Sequence, residues 1–376
     1  MKKIIIFGAT GNVGSYVLKY ASEYFDKNEY EVIASGRRET DFFDRMGIRY
    51  FSVDLSKKED FAKLPTEDVY AVIYLAAQIP SYMKGYQPEK YIQSNIMGAY
   101  NVLEYCREVH ADRILFSTTV FDVSLSAGPD KVLMPDTPLN FSYKGDHAVY
   151  VISKNTAIEL IKHYHAEYGL KYFIFRFPTI YNYSPFHYYH PNGVKTLRPV
   201  YRMIDLAMKG EPIELWGDPN YSKDMVHVYD CAQMICKAVE ADRGTGFYNV
   251  GTGIPVTLQQ QIEAIIKVFS PKDHPSQIVY RPEKPCGGGF LMNVDNAKAE
   301  LGYEPKYDVV ALFENYKEEM KIDRFKELRM PSETSDKAVG GGYFRQLVRQ
   351  GGDCALSLCG LSAENYSVGN ALRVAA

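Results

Sequence analysis

KIIIFGATGNVG, residues 3–14, joins a short apolar run to a glycine-rich loop, and the residues after it carry apolar side chains at helical spacing. A glycine at position 8 permits a tight turn, the next lets the backbone approach a phosphate, and Gly14 lets the following helix pack close to the strand. The first turn of that helix directs free N–H groups at an anion. An ordinary glycine turn is the alternative, which the strand–loop–helix order disfavours. The sequence therefore predicts a pyrophosphate-binding loop with dinucleotide contacts from Gly8, Thr10, Gly11, Asn12, Val13 and Gly14.

Outward from this loop, short apolar runs alternate with segments of helical periodicity. Strands are predicted at Lys3–Phe7, Glu31–Ala34, Val72–Leu75, Arg113–Phe116 and Lys171–Phe175. Helices are predicted at Ser15–Phe25, Tyr91–Val109 and His147–Tyr168, and Gly169 is the stop signal of the last one. This alternation is typical of βαβ units, so we expect an α/β fold with a Rossmann-type, doubly wound parallel sheet.

The alternation weakens after about residue 180, where segments rich in Tyr, Pro and Gly begin. We assign residues 1–180 to the dinucleotide-binding domain, to which later segments can return. Residues 181–328 are assigned mainly to a smaller α/β substrate-binding domain. Residues 329–376 contain a GGG run and scattered Ser and Gly without periodicity, which predicts a weakly ordered tail.

Composition and charge disfavour several classes of protein. With 46% hydrophobic and 24% charged residues, the 376-residue chain is typical of a globular protein. Its net charge of -3 provides no basic surface, so we expect no nucleic-acid partner. No apolar run approaches the length of a membrane span, so we expect no membrane association. The six cysteines are scattered without a CxxC pair, which predicts neither a metal site nor disulfides and fits a reducing cytoplasm.

Two arginines follow the second predicted strand, in the sequence Ala34-Ser35-Gly36-Arg37-Arg38. An acidic residue at this place would bind the adenosine ribose and select NAD, but the first carboxylate comes only at Glu39. The planar guanidinium of arginine is suited to phosphate, so Arg37 and Arg38 slightly favour NADP over NAD. The alternative is a solvated charge pair that binds no phosphate, so NAD stays open.

Tyr150 and Lys154 lie four residues apart in a predicted helix, and therefore on one face, one turn apart. A cation near a phenol favours the phenolate, so we expect the pKa of Tyr150 to fall toward neutral pH. Such a tyrosine can exchange a proton with a sugar hydroxyl while a hydride leaves or reaches the same carbon. The strand before this helix ends in Ser117-Thr118-Thr119, which offers a hydroxyl for the reacting oxygen, or else simply caps the strand.

The glycine loop, the strand-end hydroxyls and the Tyr150–Lys154 pair, in this order, resemble the extended short-chain dehydrogenase/reductase family. Within that family the chain resembles the NAD(P)-dependent sugar-nucleotide epimerase, dehydratase and reductase branch, over about residues 2–320. The resemblance implies catalytic roles for Tyr150, Lys154 and Thr119. It implies further cofactor contacts at Asp54, Leu55, Leu75, Ala76, Ala77, Asn95, Tyr150, Lys154, Phe177 and Pro178.

The substrate half resembles the family in part. Lys223 stands where the family has an arginine that meets the nucleotide diphosphate, and the resemblance implies Arg281 as a second cation. Thr179 stands where many members carry an asparagine that holds the substrate. Thr118 and Thr119 complete the implied substrate contacts.

Departures from the family pattern narrow the implied reaction. Asp122-Val123-Ser124 stands in place of the usual Val-Tyr-Gly after the catalytic Ser or Thr. Val120 and Phe121 stand where dehydratases carry acidic residues, which disfavours dehydration.

Three functions remain open. The resemblance implies first an epimerase, in which a hydride leaves carbon 4 of a nucleotide sugar and returns to its other face. Arg37 and Arg38 favour the alternative, an NADPH-dependent reductase of a keto-sugar nucleotide. A non-catalytic cofactor-binding protein is the third, which the intact Tyr150 and Lys154 disfavour.

Family members pair through two helices, which here would be those at Tyr91–Val109 and His147–Tyr168. The resemblance therefore implies a homodimer. Ordinary packing into the protein core is the alternative explanation of the apolar positions on these helices.

Overall fold

The computed structural model describes residues 1–83, 86–128, 131–184, 187–190, 194–287 and 289–328, so the tail assigned to residues 329–376 lies outside the described residues. The strands are β1 (Lys2–Phe7), β2 (Tyr30–Gly36), β3 (Tyr50–Ser52), β4 (Val69–Tyr74), β5 (Arg113–Thr119), β6 (Val132–Leu133), β7 (Lys171–Phe177), β8 (Ile180–Tyr181), β9 (Tyr188–Tyr189), β10 (Thr196–Leu197), β11 (Ile213–Trp216), β12 (Ser222–Asp224), β13 (Val226–His227), β14 (Thr245–Asn249), β15 (Pro255–Thr257), β16 (Ile278–Arg281) and β17 (Leu291–Met292). The α-helices are α1 (Asn12–Tyr24), α2 (Pro88–Tyr91), α3 (Gly98–Glu108), α4 (Asp146–Tyr168), α5 (Pro199–Met208), α6 (Val228–Glu240), α7 (Leu258–Phe269), α8 (Asp295–Leu301) and α9 (Val309–Ile322). In the part of the chain that is described, no helix combines the length and the apolarity needed to cross a membrane.

Seven of the strands form one parallel sheet in the order β3-β2-β1-β4-β5-β7-β14. The chain runs from β1 to one edge of the sheet and then crosses back to build the other half. This is the strand order of a doubly wound Rossmann fold, so the predicted α/β class is confirmed. The five predicted strands and three predicted helices are confirmed to within a few residues.

β5 extends further than its apolar run predicts. Its pairing with β7 continues through Ser117, Thr118 and Thr119, and all three side chains are buried. Hydroxyl residues in the sequence suggest the end of a strand, but the backbone ladder does not depend on side-chain polarity. As a result, three hydroxyls stand inside the sheet at its carboxyl edge.

Helices cover both faces of the sheet, and β1 shows how the sequence divides between them. Ile4 and Ile6 belong to a core shared with α1 and α6, whereas Ile5 and Phe7 pack with α3 and α4. Successive side chains of a strand point to opposite faces, so an all-apolar strand is suited to a sheet covered on both sides. Burying each of these side chains contributes roughly 1.5–3 kcal/mol.

α4 carries the Tyr150–Lys154 pair and ends where the sequence predicts. Gly169 adopts a left-handed φ of +74°, and its N–H bonds to the carbonyl oxygen of His165 over 2.9 Å. A glycine closes a helix in this way because it lacks the Cβ that disfavours the left-handed region. The helix therefore has a fixed end.

The second half of the chain divides between two cores. α6 and β14 return to the Rossmann layers, where β14 pairs with β7 and α6 packs with α1. A separate core joins side chains of α5, α7 and α9, among them Met203, Ile262 and Phe313. Only part of the region assigned to substrate binding thus builds a hydrophobic core of its own.

Candidate active site

The glycine loop between β1 and α1 leaves no room for side chains. Gly8 has a φ of +92°, and a Cβ built there would lie 2.7 Å from the backbone nitrogen of Ala76. A Cβ on Gly14 would lie 2.0 Å from the carbonyl oxygen of Gly8. Only glycine permits these approaches, which bring β1, α1 and the segment after β4 together.

The loop leads into an N-terminus of α1 that, among the described residues, no side chain caps. Gly11 is the capping residue, and the first turn contains no acidic side chain. The first N–H groups of a helix have no partner within it, so those of Asn12, Val13 and Gly14 are directed at whatever lies beyond the helix end. An uncapped, glycine-lined helix end fits the pyrophosphate of a dinucleotide.

Asn12 and Thr10 connect this loop to its surroundings. The side chain of Asn12 accepts a hydrogen bond of 2.9 Å from Nδ2 of Asn182, at the start of the second half of the chain. A Cβ on Gly36 would lie 2.6 Å from Oγ1 of Thr10, so the loop touches the end of β2 just before the two arginines.

Arg37 and Arg38 have different surroundings. Arg37 is exposed, and within the described residues its guanidinium has no hydrogen-bond or ionic partner. Arg38 is half-buried, and its Nη1 donates to the carbonyl oxygen of Leu328 over 2.8 Å. Arg37 is therefore open to an incoming phosphate, whereas Arg38 holds the end of the described chain.

Further predicted cofactor residues follow β3 and β4. The Asp54 carboxylate accepts hydrogen bonds from Oγ and N–H of Ser56, over 2.8 and 3.1 Å. The carbonyl oxygen of Leu55 accepts one of 2.8 Å from Asn101. Residues 75–77 continue from the carboxyl end of β4, next to β1 and its glycine loop. They line the crevice where the strand order reverses, which is where open α/β sheets bind ligands.

Asn95 lies in a π-helical turn, Ile92–Met97, between α2 and α3. Its buried side chain accepts a hydrogen bond from the N–H of Gln78 over 2.7 Å and donates one to the carbonyl oxygen of Gln78 over 3.0 Å. It also donates one of 2.9 Å to Oγ of Ser153 on α4. Asn95 therefore ties the segment after β4 to the helix that carries Tyr150.

Tyr150 lies near the start of α4, buried against the ring of Tyr91, with the ring centroids 6.1 Å apart. The Thr119 side chain at the carboxyl end of β5 lies near the phenol and favours its ionised form. Oγ1 of Thr119 also accepts from the N–H of Phe121 over 3.3 Å, which leaves its own O–H for Tyr150. Thr118 has a buried Oγ1 without a hydrogen-bond partner among the described residues. Of the strand-end hydroxyls, the geometry thus favours Thr119 as the partner of Tyr150.

The expected fall in the pKa of Tyr150 is wrong for this environment. Burial raises the pKa of Tyr150 to about 12, the hydrogen bond from Thr119 opposes the rise, and the charge of Asp122 adds to it. The phenolate loses more from leaving water than it gains from its neighbours. The phenol is accordingly protonated at neutral pH.

Lys154 follows one turn along α4 and is only 2% exposed. Burial lowers the pKa of Lys154 to about 7. Its Nζ lies 4.1 Å from the centroid of the Phe116 ring, whose face attracts a cation. The site thus holds an ammonium that loses its proton readily beside a phenol that retains its own.

β7 ends beside this pair. Phe177 pairs with Thr119 across β5 and β7, Pro178 is buried, and Thr179 is exposed directly after them. These three residues therefore continue the carboxyl edge of the sheet next to Thr119. Within the described ranges, no group of three or more His, Cys, Asp or Glu side chains could hold a metal ion.

The two predicted diphosphate cations, Lys223 and Arg281, lie on different strand pairs, β12–β15 and β11–β16. Lys223 lies in β12, and its Nζ is 5.4 Å from the centroid of the Tyr181 ring. Arg281 ends β16, and its Nε donates to Oε1 of Glu214 over 3.1 Å. Oε2 of Glu214 accepts from Lys284 over 2.8 Å. Arg281 would have to share Glu214 or leave it in order to bind a diphosphate.

A buried ion pair that the sequence analysis does not assign lies behind Thr119. Nε of Arg176 is 3.0 Å from Oδ1 of Asp122, and the two side chains are 3% and 1% exposed. Burial raises the pKa of Asp122 to about 6, and the charge of Arg176 opposes the rise. The sequence does show Asp122 as a departure from the family pattern. Its partner lies 54 residues away and is apparent only once β5 and β7 are paired.

The glycine cradle, the crevice beside it and the Thr119–Tyr150–Lys154 cluster agree with a comparison of the chain with protein families. Residues 4–251 match the model of the NAD dependent epimerase/dehydratase family. The matched region includes all the groups of this cluster. The chain belongs to that family. Membership confirms the resemblance predicted from the motifs.

Members of the NAD-dependent epimerase/dehydratase family are similar to this chain over most of its length. A putative UDP-glucose 4-epimerase from Methanocaldococcus jannaschii is 25% identical over 311 residues, which are 81% of this chain and 94% of the relative. The structure of a UDP-glucose 4-epimerase from Thermotoga maritima, with UDP-glucose, has a TM-score of 0.66 at 22% identity and covers 85% of this chain and 98% of that one. A Thermus thermophilus UDP-glucose 4-epimerase in complex with NAD has a TM-score of 0.63 at 21% identity, over 86% and 99% of the two chains. The fold is that of the family.

Proposed function

We propose that this chain is a sugar-nucleotide epimerase that inverts carbon 4 of the sugar with an NAD(P) cofactor. The observation that carries the proposal is the buried Tyr150 phenol near Thr119 at the carboxyl edge of the sheet, with the buried Lys154 one turn away. The relatives from M. jannaschii and T. maritima are named as UDP-glucose 4-epimerases, which makes UDP-glucose the first substrate to test.

The residues present fit a dinucleotide. The Cβ-free cradle at Gly8 and Gly14 and the uncapped start of α1 would hold the pyrophosphate. Asp54 would contact the adenosine end, and residues 75–77 would lie along the bound dinucleotide. A nicotinamide bound there would supply reversible hydride transfer at the sugar carbon.

Tyr150 is the group that moves the proton. As the phenolate, its Oη takes the proton of the sugar hydroxyl while the carbon is oxidised to a ketone; as the phenol, it gives that proton back when the carbon is reduced. Since burial holds the pKa of Tyr150 at about 12, the phenolate needs a neighbouring cation, and Lys154 lies on the same helix face one turn away. The Thr119 O–H can donate to the same oxygen. Tyr150, Lys154 and Thr119 are all buried, and this burial excludes water from the keto-sugar intermediate.

The cofactor we propose is NAD. The two-arginine prediction favours NADP, but Arg38 donates to Leu328, which leaves one of the two cations for a 2′-phosphate. The Thermus thermophilus relative was solved in complex with NAD. The second candidate function, an NADPH-dependent reductase of a keto-sugar nucleotide, is favoured by the exposed guanidinium of Arg37.

We also propose that the protein forms a homodimer through α4 and the helical segment from residue 92 to residue 108. Large apolar side chains on these two neighbouring segments stay exposed in the monomer: Ile92 by 47%, Met97 by 42%, Tyr100 by 40% and Ile152 by 40%. A cluster of exposed apolar side chains is typical of an interaction surface. Light scattering of the purified protein tests this, and Ile152→Glu is expected to yield monomers.

The test of the proposed activity uses the protein as purified, without added cofactor. We expect it to interconvert UDP-glucose and UDP-galactose with no net change in reduced cofactor, and to release NAD when denatured. Stoichiometric consumption of NADPH with a keto-sugar nucleotide would instead identify a reductase. Neither activity, with cofactor still bound, would support the non-catalytic alternative.

A further inference from the structure

Asp122 and Arg176 meet at the carboxyl edge of the sheet. Asp122 lies in the 3₁₀-helical turn Val120–Ser126 that follows β5, and Arg176 lies on the neighbouring strand, β7. Nε of Arg176 is 3.0 Å from one carboxylate oxygen and 3.2 Å from the other. The pair is therefore directly joined to the strand end that presents Thr119.

Arg176 has further hydrogen bonds that fix its own position. Its Nη1 donates to the carbonyl oxygens of Met134 and Pro135 and to Oδ1 of Asn249, each over 3.2 Å. Asn249 lies on β14 and donates to the carbonyl oxygen of Leu133 over 2.7 Å. One guanidinium thus connects the ends of three adjacent strands with the segment around residue 134.

The turn that Asp122 belongs to determines the direction of the Thr119 hydroxyl. Oγ1 of Thr119 accepts the N–H of Phe121, and the carbonyl oxygen of Asp122 accepts the N–H of Asn140 over 2.9 Å. The turn is therefore held through the backbone of Asp122 on one side and through its carboxylate on the other. A shift of the turn would change which way the Thr119 O–H points relative to Tyr150.

Stability alone does not account for charges at this place. A buried ion pair is often no more stabilising than apolar side chains of the same volume, and a lone buried charge is costly. The charge of Asp122 does act on the reacting group, because it opposes ionisation of the Tyr150 phenol. The ring of Tyr91 on α2 packs against that phenol, Lys154 follows one turn along α4, and Arg176 on β7 is paired with Asp122.

We propose that Asp122 is a positioning residue of this active site: anchored by Arg176, it holds the turn that aims Thr119 at Tyr150. The inference rests on the proposed function. It names a residue that the family pattern does not supply, since Asp122 belongs to the segment that departs from that pattern.

The test compares Asp122→Asn, which keeps the volume and removes the charge, with Glu319→Gln. Glu319 is a matched control, because it is a buried carboxylate on α9 paired with Arg324 over 2.6 and 2.8 Å. For Asp122→Asn we expect kcat to fall at least ~10-fold with KM within ~3-fold, as for a group that acts through the proton-transfer residue. The limb of the pH–rate profile that reports Tyr150 is expected to move at least ~0.5 pH unit lower. Loss of the negative charge of Asp122 makes the Tyr150 phenolate easier to form. Asp122→Glu, which restores a carboxylate, is expected to return the limb toward its wild-type position.

An Asp122→Asn enzyme whose limb does not move, or whose kcat falls no more than that of Glu319→Gln, overturns the proposal. If the single variant does not fold, Asp122→Asn/Arg176→Gln leaves no buried charge unpaired, and the same two outcomes apply to it.

A second readout separates this inference from the proposed activity. In ¹³Cζ-tyrosine-labelled protein, the resonance missing from Tyr150→Phe reports ionisation of Tyr150 directly. We expect it to titrate at lower pH in Asp122→Asn than in the wild type, and identical titrations would refute the inference. A wild-type protein that does not epimerise any sugar nucleotide refutes the proposed function, yet this titration would still test Asp122.

Discussion

Nδ2 of Asn95 donates a 2.9 Å hydrogen bond to Oγ of Ser153, and Ser153 donates in turn to the carbonyl oxygen of Tyr150 over 2.7 Å. A buried polar chain thus runs from the segment after β4, through the π-helical turn, to the backbone of the proposed proton carrier. Insertion of an extra residue into a helical turn is costly and often found at functional sites. Here it places an amide where it satisfies Gln78 and Ser153 at once.

Replacing Asn95 by leucine is expected to leave the backbone N–H and C=O of Gln78 without partners. Each buried group that loses its partner costs about 1–3 kcal/mol, so we expect the free energy of unfolding to fall by about 2–6 kcal/mol and kcat to fall with it. Ser153→Ala is the control, because it removes the two hydrogen bonds of the Ser153 hydroxyl and leaves Gln78 satisfied. Equilibrium urea unfolding and turnover measure both. Equal losses in the two variants would contradict the role of Asn95 as the connecting side chain.

Removing the phenol oxygen of Tyr150 is expected to stop proton transfer without disturbing the cofactor site. For Tyr150→Phe we expect turnover to fall at least ~10³-fold, the scale of general acid–base catalysis, with cofactor affinity within ~3-fold of wild type. Tyr164→Phe is the matched control on the same helix, where the phenol donates to Glu104 over 2.6 Å. Retained turnover in Tyr150→Phe would remove this residue from the mechanism.

Features encoded locally could be predicted from the sequence. β1, the glycine loop and α1 are contiguous. Glycine is required at position 14 because a Cβ there would collide with the backbone of Gly8, in the same loop. The end of α4 at Gly169 follows equally from one residue type with one backbone preference. The Tyr150–Lys154 spacing fixes the relative position of two side chains because helical geometry does.

Features that depend on distant residues could not be predicted. Arg38 is separated from Leu328 by 290 residues, so nothing near Arg38 shows that it holds the end of the described chain. The direction of the Tyr150 pKa shift was mispredicted for a related reason. The charge at Lys154 is visible in the sequence, whereas the burial that outweighs it is a property of the assembled cluster around Tyr91.

Lys154→Met is expected to stabilise the protein without added cofactor while removing its activity. Burial lowers the pKa of Lys154 from 10.5 to about 7, so below pH 7 the folded state carries a charged, desolvated ammonium. Between pH 7 and 10.5 the unfolded chain binds a proton that the folded state does not, so this residue makes stability rise with pH in that window. We expect Lys154→Met to gain about 1–3 kcal/mol at pH 6 and progressively less toward pH 10.

Chemical unfolding at pH 6 and pH 9 measures this effect. Lys162→Met is the control, because Lys162 lies on the same helix, is half exposed and pairs with Glu159 at the surface. We expect no pH-dependent gain from it, since exposed pairs contribute little. A gain for Lys154→Met that is the same at both pH values would show that its ammonium is not desolvated in the folded state.

Comparing Gly14→Ala with Gly11→Ala tests whether the loop requires glycine only where backbone atoms pack closely, or at every glycine position. A Cβ at position 14 would lie 2.0 Å from the carbonyl oxygen of Gly8, whereas one at position 11 would lie 3.1 Å from the same atom. We expect Gly14→Ala to lose more than about 3 kcal/mol of stability, or to fail to fold, and Gly11→Ala to lose about 1 kcal/mol or less. Thermal unfolding checks the order, and the reverse order would contradict the packing described for α1 and β1.

Arg37 and Arg38 are expected to respond differently to replacement by serine. Arg37 is the exposed guanidinium at the end of β2, so Arg37→Ser is expected to weaken NADP at least ~5-fold, the loss of one charge-assisted phosphate contact, and to leave NAD unchanged. Arg38→Ser removes the hydrogen bond to Leu328, so its main expected effect is a loss of about 1–2 kcal/mol in stability, with the NAD/NADP ratio close to wild type. Fluorescence titration with both cofactors and thermal unfolding of both variants distinguish these roles. A large loss of NADP affinity in Arg38→Ser would mean that the guanidinium leaves Leu328 for the 2′-phosphate. That result would favour the second candidate function, the NADPH-dependent reductase.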